Sequence, residues 1–380
     1  MIVIIVFGCR GQTEEKKELT ELRGVWLTNV DSQVLESRAA IAEAMQFLAD
    51  HHFNIVFPVV WNKAYTLYRS AVMDSMFGRV IDPLYGERDP LAEVIAEAHQ
   101  RNIAVVDWFE YGFAASYNEN GGFILETKPE WAAKDVKGKL VAKNGFEWMN
   151  ANHPEVRKFM LSLVSEVVSK YDVDGIQGDD RMPAQPSTSG YDDFTVQLYR
   201  KVHEGYDPPY DNFDPEWLKW RSRCLNLFGR LLYDEVKKID PRVLVTWAPG
   251  IYRWCYEEYL QDWPAWIAGG YSDAIIPQHY RYTIEEYKIT LDTQLKVFRG
   301  IRNPGGSFYP GILISLGSYV IKEEHLLEAL RYNRAQTIAG EVFFFYEGLR
   351  KDRDRLAKSL LNSFYKEPAG LPFPVKFKSK

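Results

Sequence analysis

Asp179 and Asp180 close the run Y-D-V-D-G-I-Q-G-D-D-R from Tyr171 to Arg181, in which a short apolar segment around Ile176 ends on two carboxylates. Side chains alternate across a strand, so Gln177 and Asp179 share one face while Ile176 and Gly178 share the other. The polar face is expected to point into a strand-tip pocket, and Gly178 to admit a closely packed helix outside. A second acid, Glu110, follows another apolar run, Ile103 to Phe109, and precedes Tyr111. Neighbouring strands lie about 4.8 Å apart, so Glu110 and Asp179 can reach the spacing at which one carboxyl donates a proton and another acts as nucleophile or base. At a glycosidic carbon such pairs stand about 5–5.5 Å apart when configuration is retained and about 6.5–9.5 Å apart when it is inverted. Asp180 is the alternate acid. The bland readings are an ion pair between Asp179 and Arg181, and a solvated loop acid at Glu110.

The elements that must position these acids alternate along the chain. Apolar strand-like runs fall at Arg23 to Asn29, Asn54 to Val60, Ile103 to Phe109 and around Ile176, then at Val243 to Trp247, Asp273 to Pro277, Gly311 to Ser315 and Val342 to Tyr346. Helical spacing occupies Ser37 to His51, Asp89-Pro90 to Arg101, His153-Pro154 onward and Pro215 to Ile239. It returns at Glu257 to Ala268, Ile284 to Arg299, Glu323 to Ile338 and Asp352 to Phe364. Eight strands alternating with eight helices predict an α/β fold, a (β/α)8 TIM barrel, with long loops after strands three and four (Phe113 to Asn152 and Met182 to Pro215). A doubly wound open sheet is the runner-up, but no Gly-rich phosphate turn follows the first strand.

In a barrel, the residues at the C-terminal strand ends converge on one mouth. Beyond the acids these are Asn29, Trp61, Asn62, Tyr111, Gln177, Arg181, Trp247, Gln278, His279, Tyr280, Arg281, Ser315, Tyr346 and Glu347. Asn29, Trp61, Tyr111, Gln177, Arg181, Trp247, Gln278, Tyr280, Arg281 and Glu347 are the candidate substrate contacts. Aromatics make up 14% of the 380 residues, and an apolar face with a polar edge suits a sugar ring, although core packing is the commoner use of any one aromatic. The seven histidines form no metal motif, so neither metal nor cofactor is expected, and His279 is read as a substrate hydrogen-bonding residue. No G-x-S-x-G nucleophile motif occurs. A net charge of −6 argues against a nucleic-acid partner.

The first seven residues are all apolar and lead to Gly8-Cys9; a polar, charged stretch from Arg10 to Glu21 follows. Val6-Phe7-Gly8-Cys9 is similar to a lipobox, without a basic n-region and with a short apolar run. Seven apolar residues cannot span a bilayer, which needs about 20. The expectation is therefore a lipoprotein leader and tether over 1–21 with Cys9 lipidated, a barrel over 22–365 and a tail over 366–380. The location expected is the cell envelope, periplasmic or outer-membrane, with the membrane touched only through the lipid. The pairing of Cys224 with Cys255 and the oligomeric state are left open.

Together R-G-V-W-L-T-N at Arg23, F-N-I-V-F-P-V-V-W-N at Phe53, W-F-E-Y-G-F at Trp108, the Tyr171 run and Gln261-Asp262-Trp263 resemble a bacterial glycosyl-hydrolase-like barrel family, long classed as a domain of unknown function. The likeness covers about Leu22 to Leu361. One branch of that family is a divisome-associated outer-membrane lipoprotein acting on peptidoglycan strands stripped of their peptides. The resemblance implies a barrel, glycosidase chemistry and a polysaccharide substrate, with N-acetylated glycan such as peptidoglycan as the leading case. Asp174 to Asp179 also looks like a degenerate chitinase fourth-strand motif, in which Gln177 replaces an acid and Arg181 stands where the catalytic Glu would be. The consecutive aspartates look like the pair of some N-acetylhexosaminidases, where one orients the substrate's acetamido group and the other donates a proton. The rivals are a non-catalytic glycan-binding lipoprotein and a metal-dependent deacetylase, the latter disfavoured by the scattered histidines.

Overall fold

The computed structural model describes residues 19–302 and 304–375. Cys9 and most of the expected leader lie outside the described residues.

The strand runs are buried almost throughout, as parallel strands covered by helices must be, with only Ser307 exposed and Gln278 and Phe344 half-buried. They are β1 Leu22–Leu27, β2 Ile55–Pro58, β3 Ala104–Phe109, β4 Gly175–Gly178 and β5 Leu244–Trp247. Then come β6 in two pieces (Ala274–Ile275 and Gln278–His279), β7 in two pieces (Ser307–Phe308 and Gly311–Leu313) and β8 Gly340–Phe344. Pro277 and Pro310 break β6 and β7, since proline lacks the N–H a ladder needs. All the pairings are parallel, in the order β7-β8-β1-β2-β3-β4-β5-β6. The first piece of β6 pairs with the first of β7 (Ala274 with Ser307), and the second with the second (Gln278 with Gly311). The curled sheet thereby closes on itself, and the expected (β/α)8 TIM barrel is what the chain forms.

The helices outside it are α1 Arg38–Asp50, α2 Pro90–His99, α3 Pro154–Lys170, α4 Pro215–Ile239, α5 Trp263–Ala268, α6 Ile284–Arg299, α7 Glu323–Ala335 and α8 Tyr346–Leu361. Their starts follow from sequence. Ser37, Asp89, Asp214 and Thr283 each accept a backbone N–H three residues on, a cap worth about 1 kcal/mol. The main departures from expectation are these. The single helix at Glu257 to Ala268 is two, Trp254–Tyr259 and α5, because Leu260 turns left-handed at φ 60°. Helix α8 starts at Tyr346 rather than Asp352 and is interrupted at Lys351 to Asp354. The loop after β3 carries a three-stranded antiparallel sheet, Ala114–Tyr117, Phe146–Trp148 and Ala142–Lys143.

Inside the barrel Trp26, Trp108 and Phe344 meet with ring centroids 6.2–6.4 Å apart. The Trp26 indole donates to Gln177 Oε1 at 2.7 Å, and Gln177 Nε2 donates to Thr246 Oγ1 at 3.2 Å. Beneath, at the strand starts, Glu21 pairs with Arg23 and Arg334, and Arg334 pairs with buried Glu341. The chain beyond α8 returns to this end, where Arg23 Nη1 donates to the Glu367 carbonyl and Asn54 Nδ2 to that of Ala369.

Candidate active site

At the tip of β4 the chain turns so that Arg181 folds back over the acids. Its Nη2 donates to Glu110 Oε1 at 2.9 Å and to Asp179 Oδ2 at 3.2 Å, and its Nε donates to the Glu110 carbonyl at 2.9 Å. Nη1 lies 3.0 Å from Asp180 Oδ1, an ion pair without hydrogen-bond alignment. Two carboxyl oxygens bonded to one nitrogen at 2.9 and 3.2 Å are at most about 6 Å apart. The two acids therefore stand within reach of one glycosidic bond. The ion-pair reading of Asp179 is thus also true: the same guanidinium gathers the pair.

Two glycines set this approach. A Cβ on Gly112, already at φ +49°, would stand 2.2 Å from the Arg181 carbonyl oxygen, where the Phe113 N–H donates at 3.0 Å. The tips of β3 and β4 therefore abut only because residue 112 has no side chain. A Cβ on Gly178 would meet the Trp247 ring at 2.5 Å. Gly178 thus makes room for the Met182 carbonyl oxygen, 2.4 Å from that Cβ, and for an indole from the next strand, not for a helix.

Asp179 is 2% exposed. Gln278 Nε2 donates to its Oδ1 at 2.8 Å and to the Ala248 carbonyl at 3.1 Å, which fixes the amide's orientation. Gln261 Nε2 donates to the Asp179 carbonyl. Burial first, then the charge of Asp180, pushes the Asp179 carboxyl well above its ordinary range against the pull of Arg181. Burial likewise raises Glu110, opposed by Arg181 and Lys63. Arg181 would be lowered by burial, but Asp180, Asp179 and Glu110 hold it up as a cation. Sites this close titrate as a pair, and the pair keeps a proton above the usual carboxylate range. Both Asp179 oxygens face donors, whereas Glu110 Oε2 has no hydrogen-bond partner among the described residues. Burial raises Asp179 further than Glu110, yet both Asp179 oxygens accept from donors as an ionised carboxylate does, so the hydrogen bonding places the shared proton on Glu110.

Beside Glu110 opens a cleft of about 360 Å³ lined by Thr28, Val30, Asp31, Asn62, Lys63, Tyr111, Tyr117, Phe146, Leu316, Phe344 and Phe345. A larger cleft of about 550 Å³ lies at the opposite, strand-start end near Asp174, Asp240 and Asp273, away from these acids. The loop after β3 contributes Tyr111, Tyr117 and Phe146 to the mouth cleft; Met182 to Pro215 contributes no lining residue. Lys63 is carried on the hairpin Trp61–Asn62/Tyr65–Thr66, whose two turn residues, Lys63 and Ala64, are both left-handed (φ 51° and 61°). Asn-Gly is the usual pair in such a turn.

The other expected contacts divide. Tyr280 packs on Phe344 of the mouth cleft with ring centroids 5.2 Å apart, and burial, then Asp179 and Asp180, raise its hydroxyl. The Tyr111 ring packs on Phe146 at 5.5 Å, and Phe146 in turn lies under the Arg181 guanidinium. Asn62 Nδ2 donates to Asn29 Oδ1 at the cleft edge. Glu347 accepts from Ser32, and Arg281 is held by Thr290 and the Tyr280 carbonyl rather than by the acids. Gln177 is committed inside the barrel. Trp61 and Trp247 are fully buried, with indoles donating to the Gly112 and Tyr271 carbonyls, so neither offers a face to a sugar. His279 packs outward on Tyr287 and Phe308; burial lowers it to about 4, and it has no route to a substrate in the mouth. Lys63, Tyr117 and Phe146 escaped the sequence reading because they sit in hairpins with no strand-end signal.

The family model described as "Glycosyl hydrolase-like 10" matches residues 21–302. The glycosyl hydrolase DigH of Escherichia coli (strain K12) is 25% identical over 94% of this chain and 90% of its own length. The glycosyl hydrolase YngK of Bacillus subtilis (strain 168) is 23% identical over 98% of this chain and 76% of its own. Among solved structures, the PgaB (BpsB) glycoside hydrolase domain from Bordetella bronchiseptica superposes with a TM-score of 0.62 at 13% identity, covering 90% of this chain and 99% of that one. That likeness shows the fold.

Proposed function

The chain belongs to the glycosyl hydrolase-like 10 family, and from that premise we propose that it hydrolyses glycosidic bonds of a polysaccharide at the barrel mouth, with N-acetylated glycan strands such as peptidoglycan as substrate. The observation that carries this reading is the pair on one guanidinium: Glu110 Oε1 and Asp179 Oδ2 both accept from Arg181 Nη2, beside a cleft with aromatic walls. Glu110 gives its proton to the leaving oxygen as the glycosidic C–O bond breaks. Asp179, ionised and held by Gln278 and Arg181, stabilises the positive charge that develops at the anomeric carbon. Water then completes the hydrolysis, with Glu110 taking its proton.

Two routes share this geometry. In one, Asp179 attacks the anomeric carbon. In the other, Asp179 and Asp180 orient the substrate's own acetamido oxygen as the nucleophile. The second is favoured by the 2% exposure of Asp179, whose oxygens are both held as an orienting group requires. Azide rescue of Asp179→Asn points to the first, inhibition by a thiazoline sugar to the second.

The test of the whole reading is digestion of a glycan panel that includes peptide-free peptidoglycan strands, with products read by mass spectrometry. New reducing ends on at least one glycan are expected. No cleavage of any member, with intact binding to one, favours a non-catalytic glycan-binding protein.

A further inference from the structure

Of the eleven tryptophans, all within the described residues, only Trp254 is exposed, at 53%; the others are buried or half-buried. A single exposed aromatic is ordinary on a surface; what sets this indole apart is how it is held and where it stands. Trp254 lies in the loop after β5, on the mouth side of the barrel. Its ring leans on Tyr259 with centroids 5.4 Å apart. Tyr259 is fixed in turn: Asn144 Nδ2 donates to its hydroxyl at 2.8 Å, and the Lys143 ammonium sits 4.4 Å above its ring. Lys143 also donates to the Glu258 carbonyl at 2.9 Å. The result is a rigid aromatic ledge rimmed by groups that hydrogen-bond, not an extended apolar patch.

The ledge adjoins the acids at Asp180, whereas the mouth cleft adjoins them at Glu110. Burial and then the charge of Asp180 push the Tyr259 hydroxyl up to about 12. Gln261, two residues past Tyr259, holds the Asp179 carbonyl, and the Gln185 and Ser187 N–H groups donate to the Tyr259 and Glu258 carbonyls. Across the acids, Glu110 borders the cleft of Lys63 and Tyr117. Acids with a binding surface on each side suit a chain that passes over them.

We propose that Trp254 is a stacking platform for a sugar ring of the same glycan, across the scissile bond from the Lys63 cleft, so that the chain is held on both sides and cut internally. An indole face covers the apolar C–H face of a pyranose, while Lys143, Glu258 and Asn144 meet hydroxyls at its edge. This rests on the glycoside hydrolase reading above.

The test uses isothermal titration of peptide-free peptidoglycan strands of six sugars, and of the matching disaccharide, into Asp179→Asn protein with and without Trp254→Ala; Asp179→Asn keeps the strands intact. The hexasaccharide is expected to bind at least about tenfold more weakly without the indole and the disaccharide within about twofold, with Trp254→Phe restoring most of the loss. Equal affinity for the hexasaccharide, or an equal loss for both lengths, overturns the proposal. If neither sugar binds the Asp179→Asn parent, the glycan reading itself fails and the platform with it.

Discussion

At the scale of residues, the acids were legible because apolar runs ending in Asp and Glu are conspicuous, and strand parity put Asp179 on the polar face. Parity could also have removed two wrong candidates. Thr246 points inward to Gln177, so Trp247 must point out; Gln278 and Tyr280 face the mouth, so His279 between them cannot. Arg181 was legible as a partner of Asp179, but its grip on Glu110 depends on a turn that no periodicity reveals. The protonated Glu110 makes a specific forecast. The rate on unactivated sugar leaving groups falls as pH rises through its raised pKa, because the donor is lost. Glu110→Gln should cost at least about a hundredfold on such substrates but far less on aryl glycosides whose phenol leaves without help. Equal losses on both would remove Glu110 as the acid. A second buried acid, Asp107 on the outer face of β3, has no partner for either oxygen among the described residues, and burial pushes it well above the usual range. A raised carboxyl favours the fold below its unfolded pKa of about 3.9 and loses that contribution as pH rises through the folded value. Thermal unfolding from pH 4 to 9 should therefore show Asp107→Asn gaining on wild type toward alkaline pH. Parallel curves would contradict this.

At the scale of elements, caps and proline positions read well: Asp89-Pro90 and Asp214-Pro215 start helices where the sequence places them. What failed were breaks that depend on tertiary context. Leu260 takes a left-handed conformation that costs a non-glycine residue about 1–2 kcal/mol, so nothing local announces the split after Tyr259. The small sheet in the loop after β3 was invisible because its strands are two to four residues long. The approach of β3 to β4 makes the sharpest test at this scale. Gly112→Ala must push its new Cβ off the Arg181 carbonyl or shift the turn, at a cost of about 1–3 kcal/mol. Urea unfolding should show that loss, and kcat/KM should fall at least about tenfold as Glu110 and Arg181 separate. Wild-type stability with wild-type activity would show that the tips need not abut.

At the scale of the whole molecule, the alternation of eight strands and helices sufficed for the barrel, since short connections leave parallel strands few other closures. No described helix is long and apolar enough to cross a membrane. Our proposal that the protein is held at the cell envelope rests on the apolar leader ending at Gly8-Cys9, outside the described residues, and on the polar tether after it. It predicts globomycin-sensitive processing, fatty-acid labelling and a membrane fraction that Cys9→Ser empties; unchanged behaviour of that variant would end the proposal. The central claim is that Asp179, gathered with Glu110 by Arg181, serves glycosidic bond cleavage. Its most direct test is turnover by wild type and Asp179→Asn on a glycan that the wild type cuts, with binding measured alongside. Asn keeps the shape and removes the charge, so turnover should drop at least about a hundredfold while the fold and glycan affinity persist. Near wild-type turnover by Asp179→Asn would contradict the account.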